Sequence, residues 1–199
     1  MSTRLSRIGF ALLFLSSVLF LPPSTTRALE GSGGAPGGAA GAPNGAAGQE
    51  GGTTVFLVRH AEKDTVPEGD PRLTEAGEDR ALELAHVLEE AGVTAVFATQ
   101  FRRTQDTVRP LADHLGLELQ IVRADETDRL VEAIRQGPRS SVFVVSGHSN
   151  SVPAIIEALG AGAVAPIEEA NEFDNLYVVR LSTGGAAEVM TLKFGQRPQ

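Results

Sequence analysis

The sequence predicts a three-layer α/β fold with a mostly parallel central sheet. Short apolar runs alternate with helical patterns from residue 53 onward, and such alternation is typical of a sheet covered by helices on both faces. The runs TTVFLV at 53–58 and SVFVV at 141–145 carry no charge, as expected for strands buried on both sides. A hydrophobic content of 42% with 21% charged residues is that of a globular protein.

Start and stop residues delimit the helices. Thr74 can cap a helix whose apolar face includes Leu84 and Leu88, and Gly116 can end a second helix. Residues 183–185 (Thr-Gly-Gly) predict a hairpin between the last two strands. The predicted strands are 53–58, 94–98, 117–122, 141–145, 175–181 and 188–194, and the predicted helices are 74–91, 102–115, 127–136 and 151–159. The strand order does not follow from these patterns.

The amino-terminal quarter differs in composition from the rest. Residues 8–21 form a 14-residue uncharged run after Arg4 and Arg7, and Thr26-Arg27-Ala28 follows it. This pattern predicts a secretory signal peptide over residues 1–28, with an uncleaved membrane anchor as the alternative. Residues 30–52 contain ten glycines and six alanines, so residues 29–52 are expected to form a flexible linker. The folded domain is then 53–199, exported to a secreted or periplasmic location and membrane-tethered only if the signal is uncleaved.

Composition excludes several classes of function. The chain has no cysteine, which excludes disulfide scaffolds, thiolate metal sites and cysteine nucleophiles. The formal net charge is −8, whereas a nucleic-acid-binding protein is expected to have an excess of basic residues. The four histidines have neither helical i, i+4 spacing nor short-loop ligand spacing, so no metal site is predicted. His86 and His114 fall on the predicted helices, outside the apolar stripes, and are expected to face solvent.

Three polar clusters follow predicted strands. They are RHAEK at 59–63, TQFRRTQ at 99–105 and GHSN at 147–150. The carboxyl ends of parallel strands share one rim of a sheet, where ligands collect. Two histidines and at least two arginines would therefore meet there, and this combination suits a phosphate group.

The segments LVRHAEK, FRRTQDT and VVSGHSNSVP, in this order and each after a strand, resemble the histidine phosphatase superfamily with its phosphoglycerate-mutase-like fold. The resemblance implies that His60 is the nucleophile that accepts the phosphoryl group without a cofactor. It also implies that Arg59, Arg103 and His148 surround the phosphoryl oxygens, His148 in a cationic or hydrogen-donating form. The glycine that commonly follows the nucleophile in this superfamily is replaced here by Ala61.

The proton donor for the leaving group is less defined. In the superfamily that the chain resembles, mutases and broad phosphatases carry a glutamate in an inserted segment between the arginine motif and the second histidine motif. Only 44 residues lie between Arg103 and His148 here. This short spacing resembles the compact phosphatase branch and disfavours mutase activity. We expect Glu126 to be the acid, with Asp125 close behind it and Glu172 or Asp174 as alternatives. Each of these carboxylates could instead be a solvated turn residue.

Two further charged residues have expected roles near this rim. Glu62 is expected to orient the loop after His60 or neighbouring arginines. Arg102 is expected to be a rim charge rather than a second phosphate contact.

The sequence therefore predicts an exported phosphomonoesterase that acts on a small phosphorylated substrate through a phosphohistidine at His60. It predicts no nucleic-acid partner and no stable membrane insertion after signal cleavage. Two alternatives remain open: a phosphohistidine phosphatase, and a catalytically weak phosphate-binding module. The natural substrate and the oligomeric state do not follow from the sequence.

Overall fold

The computed structural model describes residues 51–197. The predicted signal segment and nearly all of the predicted linker lie outside these residues. The described elements are β1 (Thr53–Arg59), α1 (Glu75–Leu88), β2 (Ala95–Ala98), α2 (Arg102–Leu115), β3 (Leu119–Ile121), α3 (Thr127–Gln136), β4 (Val142–Gly147), α4 (Ser151–Ala158), β5 (Asn175–Leu181) and β6 (Ala187–Lys193).

One six-stranded sheet organises these elements, in the order β3-β2-β4-β1-β5-β6. The pairs β1–β4, β2–β4 and β2–β3 are parallel, whereas β5 runs antiparallel to both β1 and β6. The prediction of a mostly parallel sheet is confirmed. Because β2, β4 and β1 are neighbours, the three polar clusters that follow β1, β2 and β4 begin at adjacent strand ends.

Helices cover both faces of the sheet. Leu84 of α1 and Leu111 of α2 are completely buried in a cluster with Val58 and Val144. On the opposite face, the apolar side chains of α3 and α4 pack against Val55, Leu57, Phe143 and Val145. Alternate residues of β1 and β4 thus serve the two cores, and the predicted three-layer arrangement is confirmed.

The helices α2 and α3 and the strand β5 have the predicted bounds, whereas α1, α4, β2 and β3 are shorter than predicted. Helix α1 ends at Leu88 instead of residue 91 because a turn follows it, in which the Ala91 N–H donates to the Leu88 carbonyl at 3.0 Å. Helix α4 ends one residue early, at Ala158. Strand β3 covers only three of the six residues predicted at 117–122. There the Leu117 N–H donates to the Ala112 carbonyl at 2.9 Å, so the start of the predicted strand completes the carboxyl end of α2.

The two central strands extend beyond their apolar runs. Val58 pairs with Ser146 and Arg59 with Gly147, so β1 and β4 run directly into the first and third polar clusters. β2 begins one residue later than predicted, at Ala95, and β6 lies one residue earlier than predicted, at Ala187–Lys193. Within residues 51–197, no helix has the length and apolar character needed to cross a membrane.

Candidate active site

His60 and His148 meet where β1 and β4 end. The His60 N–H donates to the Gly147 carbonyl at 2.9 Å, which continues the pairing of the two strands by one residue. The two imidazole rings lie edge to face, with their centroids 5.6 Å apart. The structure therefore brings together the two histidines that the sequence places 88 positions apart.

The His60 ring has a fixed orientation and a depressed pKa. Its Nδ1 lies 2.8 Å from the Ala61 carbonyl oxygen. A carbonyl can only accept, so this contact assigns the proton to Nδ1 and leaves the Nε2 lone pair free in the neutral ring. Burial lowers the His60 pKa to about 3, and the charges of Arg59, Arg103 and His148 lower it too, whereas the Ala61 bond opposes them. His60 is therefore neutral at pH 7, the form in which an imidazole is a nucleophile.

His148 is held by a threonine network that the sequence analysis did not assign. Its Nε2 lies 3.1 Å from the Thr99 hydroxyl, which itself lies 2.8 Å from the Thr104 hydroxyl. Burial, followed by the charges of Arg103 and Arg59, lowers the pKa of His148 to about 4. Burial and these charges therefore favour the neutral form of this ring over the cationic one. In the sequence, this network is indicated only by the two threonines of the TQFRRT segment, Thr99 and Thr104.

Arg59 links the site to the segment before β5. Its Nη1 donates to the carbonyls of Glu168 and Glu172 at 3.0 and 3.1 Å, and its Nη2 donates to the Glu169 carbonyl at 2.7 Å. Its guanidinium carbon lies 4.2 Å from the centre of the Phe173 ring. The resemblance implied that this guanidinium binds the phosphoryl oxygens. In the structure, three of its hydrogen bonds go to backbone carbonyls. The long-range contacts to residues 168–173 had no sequence signal.

The second arginine has a parallel arrangement. Arg103 lies in the first turn of α2, its Nη1 donates to the Gly69 carbonyl at 3.2 Å, and its guanidinium stacks on Phe101 at 4.3 Å. Among the described residues, the Nε atoms of Arg59 and Arg103 are buried and have no hydrogen-bond partner. Buried donors are rarely left unpaired. Burial lowers the pKa of both guanidinium groups, but arginine stays charged in proteins, so the two side chains form a site for an anion.

The carboxylates proposed as acids are engaged elsewhere. Glu126 pairs with Arg129 at 3.2 Å and Asp125 with Arg123 at 3.1 Å. Glu126 also lines a small pocket beside Thr99 and Gly147, but no hydrogen bond or ion pair within residues 51–197 joins its carboxylate to the His60 or His148 ring. The role of Glu126 as the acid stays a prediction.

The two alternative acids also have partners. The Glu172 carboxylate accepts from the Glu168 N–H at 2.7 Å, and the Asp174 carboxylate binds the Lys193 ammonium at 2.8 Å.

Glu62 orients an arginine that the sequence analysis missed. The Arg80 Nε and Nη2 donate to the Glu62 carboxylate at 2.7–3.1 Å, and Arg80 Nη1 donates to the Phe194 carbonyl at 3.2 Å. Arg80 is only 5% exposed because it lies on the buried face of α1 with Ala81 and Leu84. Its position in that apolar stripe was the available signal. The pair ties the loop after His60 to α1.

The remaining candidates lie at the surface. His86 and His114 are exposed on α1 and α2, as predicted. Arg102 is exposed, and its backbone N–H donates to the Asp70 carboxylate at 2.8 Å. Within the part of the chain that the structure describes, no group of three or more histidines and acidic residues is arranged to hold a metal ion.

Comparisons with known proteins found similar sequences and similar folds. The sequence model of the histidine phosphatase superfamily (branch 1) matches residues 55–134. A probable phosphoglycerate mutase, GpmB, of Enterobacter sp. (strain 638) is 35% identical over 71 residues, which is 33% of each protein. The match thus spans about a third of that relative.

Solved structures share the fold at low identity. The α-ribazole phosphatase of Shigella flexneri has a TM-score of 0.57 at 13% identity, with 70% of this chain and 96% of that chain covered. The protein histidine phosphatase SixA bound to tungstate has a TM-score of 0.56 at 18% identity, with 70% and 96% covered. A mycobacterial glucosyl-3-phosphoglycerate phosphatase has a TM-score of 0.55 at 13% identity, with 71% and 98% covered.

Proposed function

We propose that this chain, which belongs to the histidine phosphatase superfamily, hydrolyses phosphate monoesters through a covalent phosphohistidine at His60. The observation that carries the proposal is a neutral imidazole beside two arginines whose buried Nε atoms lack partners. These two features match the two requirements of phosphoryl transfer, a positioned nucleophile and compensation of charge on the transferred oxygens.

The Nε2 lone pair of His60 attacks phosphorus, and the bond from phosphorus to the leaving oxygen breaks. The proton stays on Nδ1, where it is donated in a hydrogen bond to the Ala61 carbonyl, and this bond keeps the ring oriented. The Nε–H groups of Arg59 and Arg103 donate hydrogen bonds to the phosphoryl oxygens, and His148 donates a hydrogen bond to the same oxygens from the end of β4. Water then attacks the phosphohistidine and releases inorganic phosphate. None of these steps needs a cofactor.

A rapid-quench experiment with a ³²P-labelled aryl phosphate tests the proposal. We expect protein-bound label that is lost in acid and kept in base, as a phosphoramidate requires. His60→Ala should abolish the label while leaving the circular-dichroism spectrum unchanged, and His86→Ala serves as the control on an exposed histidine. Label that survives acid and is lost in base would identify an acyl phosphate and overturn the assignment.

A phosphohistidine phosphatase is the second candidate. Between Arg103 and His148 the chain forms only the rest of α2, then β3, α3 and β4, so no inserted segment there covers the site against a protein substrate. The fold similarity to SixA is consistent with this activity. Turnover of a phosphohistidine peptide at least as fast as that of an aryl phosphate would favour it.

A binding module is the remaining alternative. Aryl phosphate turnover in the presence of a chelator would exclude it, and inhibition by vanadate would support the transfer mechanism. We also propose that the domain is exported, with residues 1–28 removed and residues 29–52 as a tether. Amino-terminal sequencing of the expressed protein tests cleavage near Ala28.

A further inference from the structure

Two phenylalanine rings flank the pair of histidines. The centre of the Phe101 ring lies 5.4 Å from that of His148, edge to face, and the centre of the Phe173 ring lies 6.3 Å from that of His60. The two imidazole centres are themselves 5.6 Å apart. These contacts link the four rings in the order Phe101, His148, His60 and Phe173.

Each phenylalanine also contacts one arginine of the site. The guanidinium carbon of Arg103 lies 4.3 Å from the centre of the Phe101 ring, and that of Arg59 lies 4.2 Å from the centre of the Phe173 ring. A planar guanidinium stacks on an aromatic face, which attracts its positive charge. Such a contact limits the rotation of the guanidinium plane. Each phenylalanine therefore contacts one arginine and one histidine.

Core packing does not account for these two rings. Both are half-buried, and within residues 51–197 neither belongs to the buried apolar clusters. Phe101 occupies the N-cap position of α2 without a side-chain capping bond, although that position favours serine, threonine, asparagine and aspartate. The Asp70 carboxylate accepts from the Arg102 N–H there instead. A departure from local preference of this kind is expected where a residue serves a functional site.

A third arginine shows what is particular to the two at the site. Arg80 lies 5.8 Å from the centre of the Phe194 ring, and its Nε donates to the Glu62 carboxylate. Among the described residues, the buried Nε atoms of Arg59 and Arg103 have no such partner. Backbone carbonyls hold Nη atoms of both side chains, and a phenylalanine covers one face of each guanidinium. The Nε–H group is then a donor left for an anion.

We propose that Phe101 and Phe173 are positioning residues of the phosphate site, which hold the Nε–H groups of Arg103 and Arg59 toward the transferred oxygens. The inference rests on the proposed phosphohistidine mechanism. Phosphoryl transfer gains most from donors that are already oriented when charge develops on the oxygens. A leucine at either position fills similar space but has no aromatic face, so the guanidinium would rotate and its Nε–H would leave the oxygens.

Replacement of each phenylalanine by Leu and by Tyr tests the proposal with 4-nitrophenyl phosphate. Displacement of a positioned group by about 1 Å can cost about 10²-fold in rate, so kcat/KM should fall about 10–100-fold in Phe101→Leu and in Phe173→Leu. Phe101→Tyr and Phe173→Tyr keep the aromatic face and should stay near wild type. Phe143→Leu removes a ring from the core pair of Phe97 and Phe143, and this matched control should leave kcat/KM unchanged.

Vanadate inhibition separates positioning from loss of folded protein. Vanadate mimics the pentavalent transferred group, so its inhibition constant should rise in the Leu variants about as much as kcat/KM falls. A smaller folded fraction would lower kcat but leave KM and the vanadate inhibition constant unchanged. Circular dichroism checks the fold of every variant. Methionine is the second non-aromatic replacement wherever a Leu variant does not fold.

A double-mutant cycle tests whether Phe101 acts through its arginine. In Arg103→Lys, which lacks the guanidinium Nε, Phe101→Leu should lower kcat/KM by less than about 3-fold further, whereas Phe173→Leu should keep its full effect. Wild-type rates in both Leu variants, an unchanged vanadate inhibition constant, or a full additional loss on Phe101→Leu in Arg103→Lys would overturn the inference, while acid-labile label on His60 still supported the mechanism. Absence of that label in the wild-type protein would overturn the mechanism and this inference together.

Discussion

Replacement of Glu62 by Gln should strongly destabilise the domain. The substitution keeps the size of the side chain but removes the charge opposite Arg80, which is 5% exposed and whose other hydrogen bond within residues 51–197 goes to the Phe194 carbonyl. Breaking a buried ion pair from one side costs about 3–5 kcal/mol because the other charge stays unpaired. The amide oxygen of Gln can still accept one of the three bonds, so we expect a loss of about 2–3 kcal/mol in the free energy of unfolding.

Urea unfolding followed by circular dichroism measures this loss. Arg80→Met and the double variant Glu62→Gln/Arg80→Met complete a double-mutant cycle. We expect a coupling energy of about 2 kcal/mol or more, since the double variant leaves no buried charge. A coupling energy below about 0.5 kcal/mol would show that the pair behaves as a surface salt bridge and would refute the reasoning.

Three other outcomes follow from the site. Arg103→Lys keeps the charge but removes Nε and the planar fork, so aryl phosphate kcat/KM should fall about 10²–10³-fold, whereas Arg102→Lys should change it little. Because the His60 pKa is about 3 in the folded protein against 6.5 ordinarily, the unfolded chain binds more protons below pH 6.5. As the pH is lowered from about 6 to 4, the free energy of unfolding should therefore decrease by up to about 1.4 kcal/mol per pH unit through His60 alone. In urea unfolding over this pH range, His60→Gln should reduce the slope but not abolish it, because His148 also has a lowered pKa, of about 4. Thr99→Val should lower kcat by about 10-fold through a loosened His148 ring while Thr99→Ser stays near wild type, and identical rates for the two variants would remove Thr99 from the site.

Local patterns predict much of this fold because the elements are bounded by local chemistry. Helix α2 ends at Gly116, whose positive φ of 65° favours glycine, and Thr74 caps α1 through its hydroxyl. The order of the strands was not predictable, because it depends on which apolar faces meet across the whole chain. Even so, His60 and His148 could be assigned to one rim, since both follow buried strands.

The contacts of the two arginines could not be predicted from local sequence patterns. A charged residue after a strand predicts proximity to a ligand, but the side chain can divide its donors between a ligand and the protein. Arg59 donates three hydrogen bonds to carbonyls that lie more than 100 positions away in the sequence. The spacing of residues in a sequence does not predict such contacts. The threonine pair that holds His148 and the buried Arg80 are likewise side-chain arrangements that only packing decides.

Because of the strand order, the site depends on strands that are far apart in the sequence. β4, which His148 directly follows, lies between β1 and β2 although it comes after both of them in the sequence. A growing chain that has reached residue 134 contains His60 and Arg103 but neither the central strand between them nor the segment that Arg59 binds. The proposed catalytic site is therefore complete only when β4 lies between β1 and β2 and the β5–β6 hairpin pairs with β1. Enzymatic activity should accordingly disappear at the same denaturant concentration as the secondary structure, and it would serve as a probe of cooperative folding.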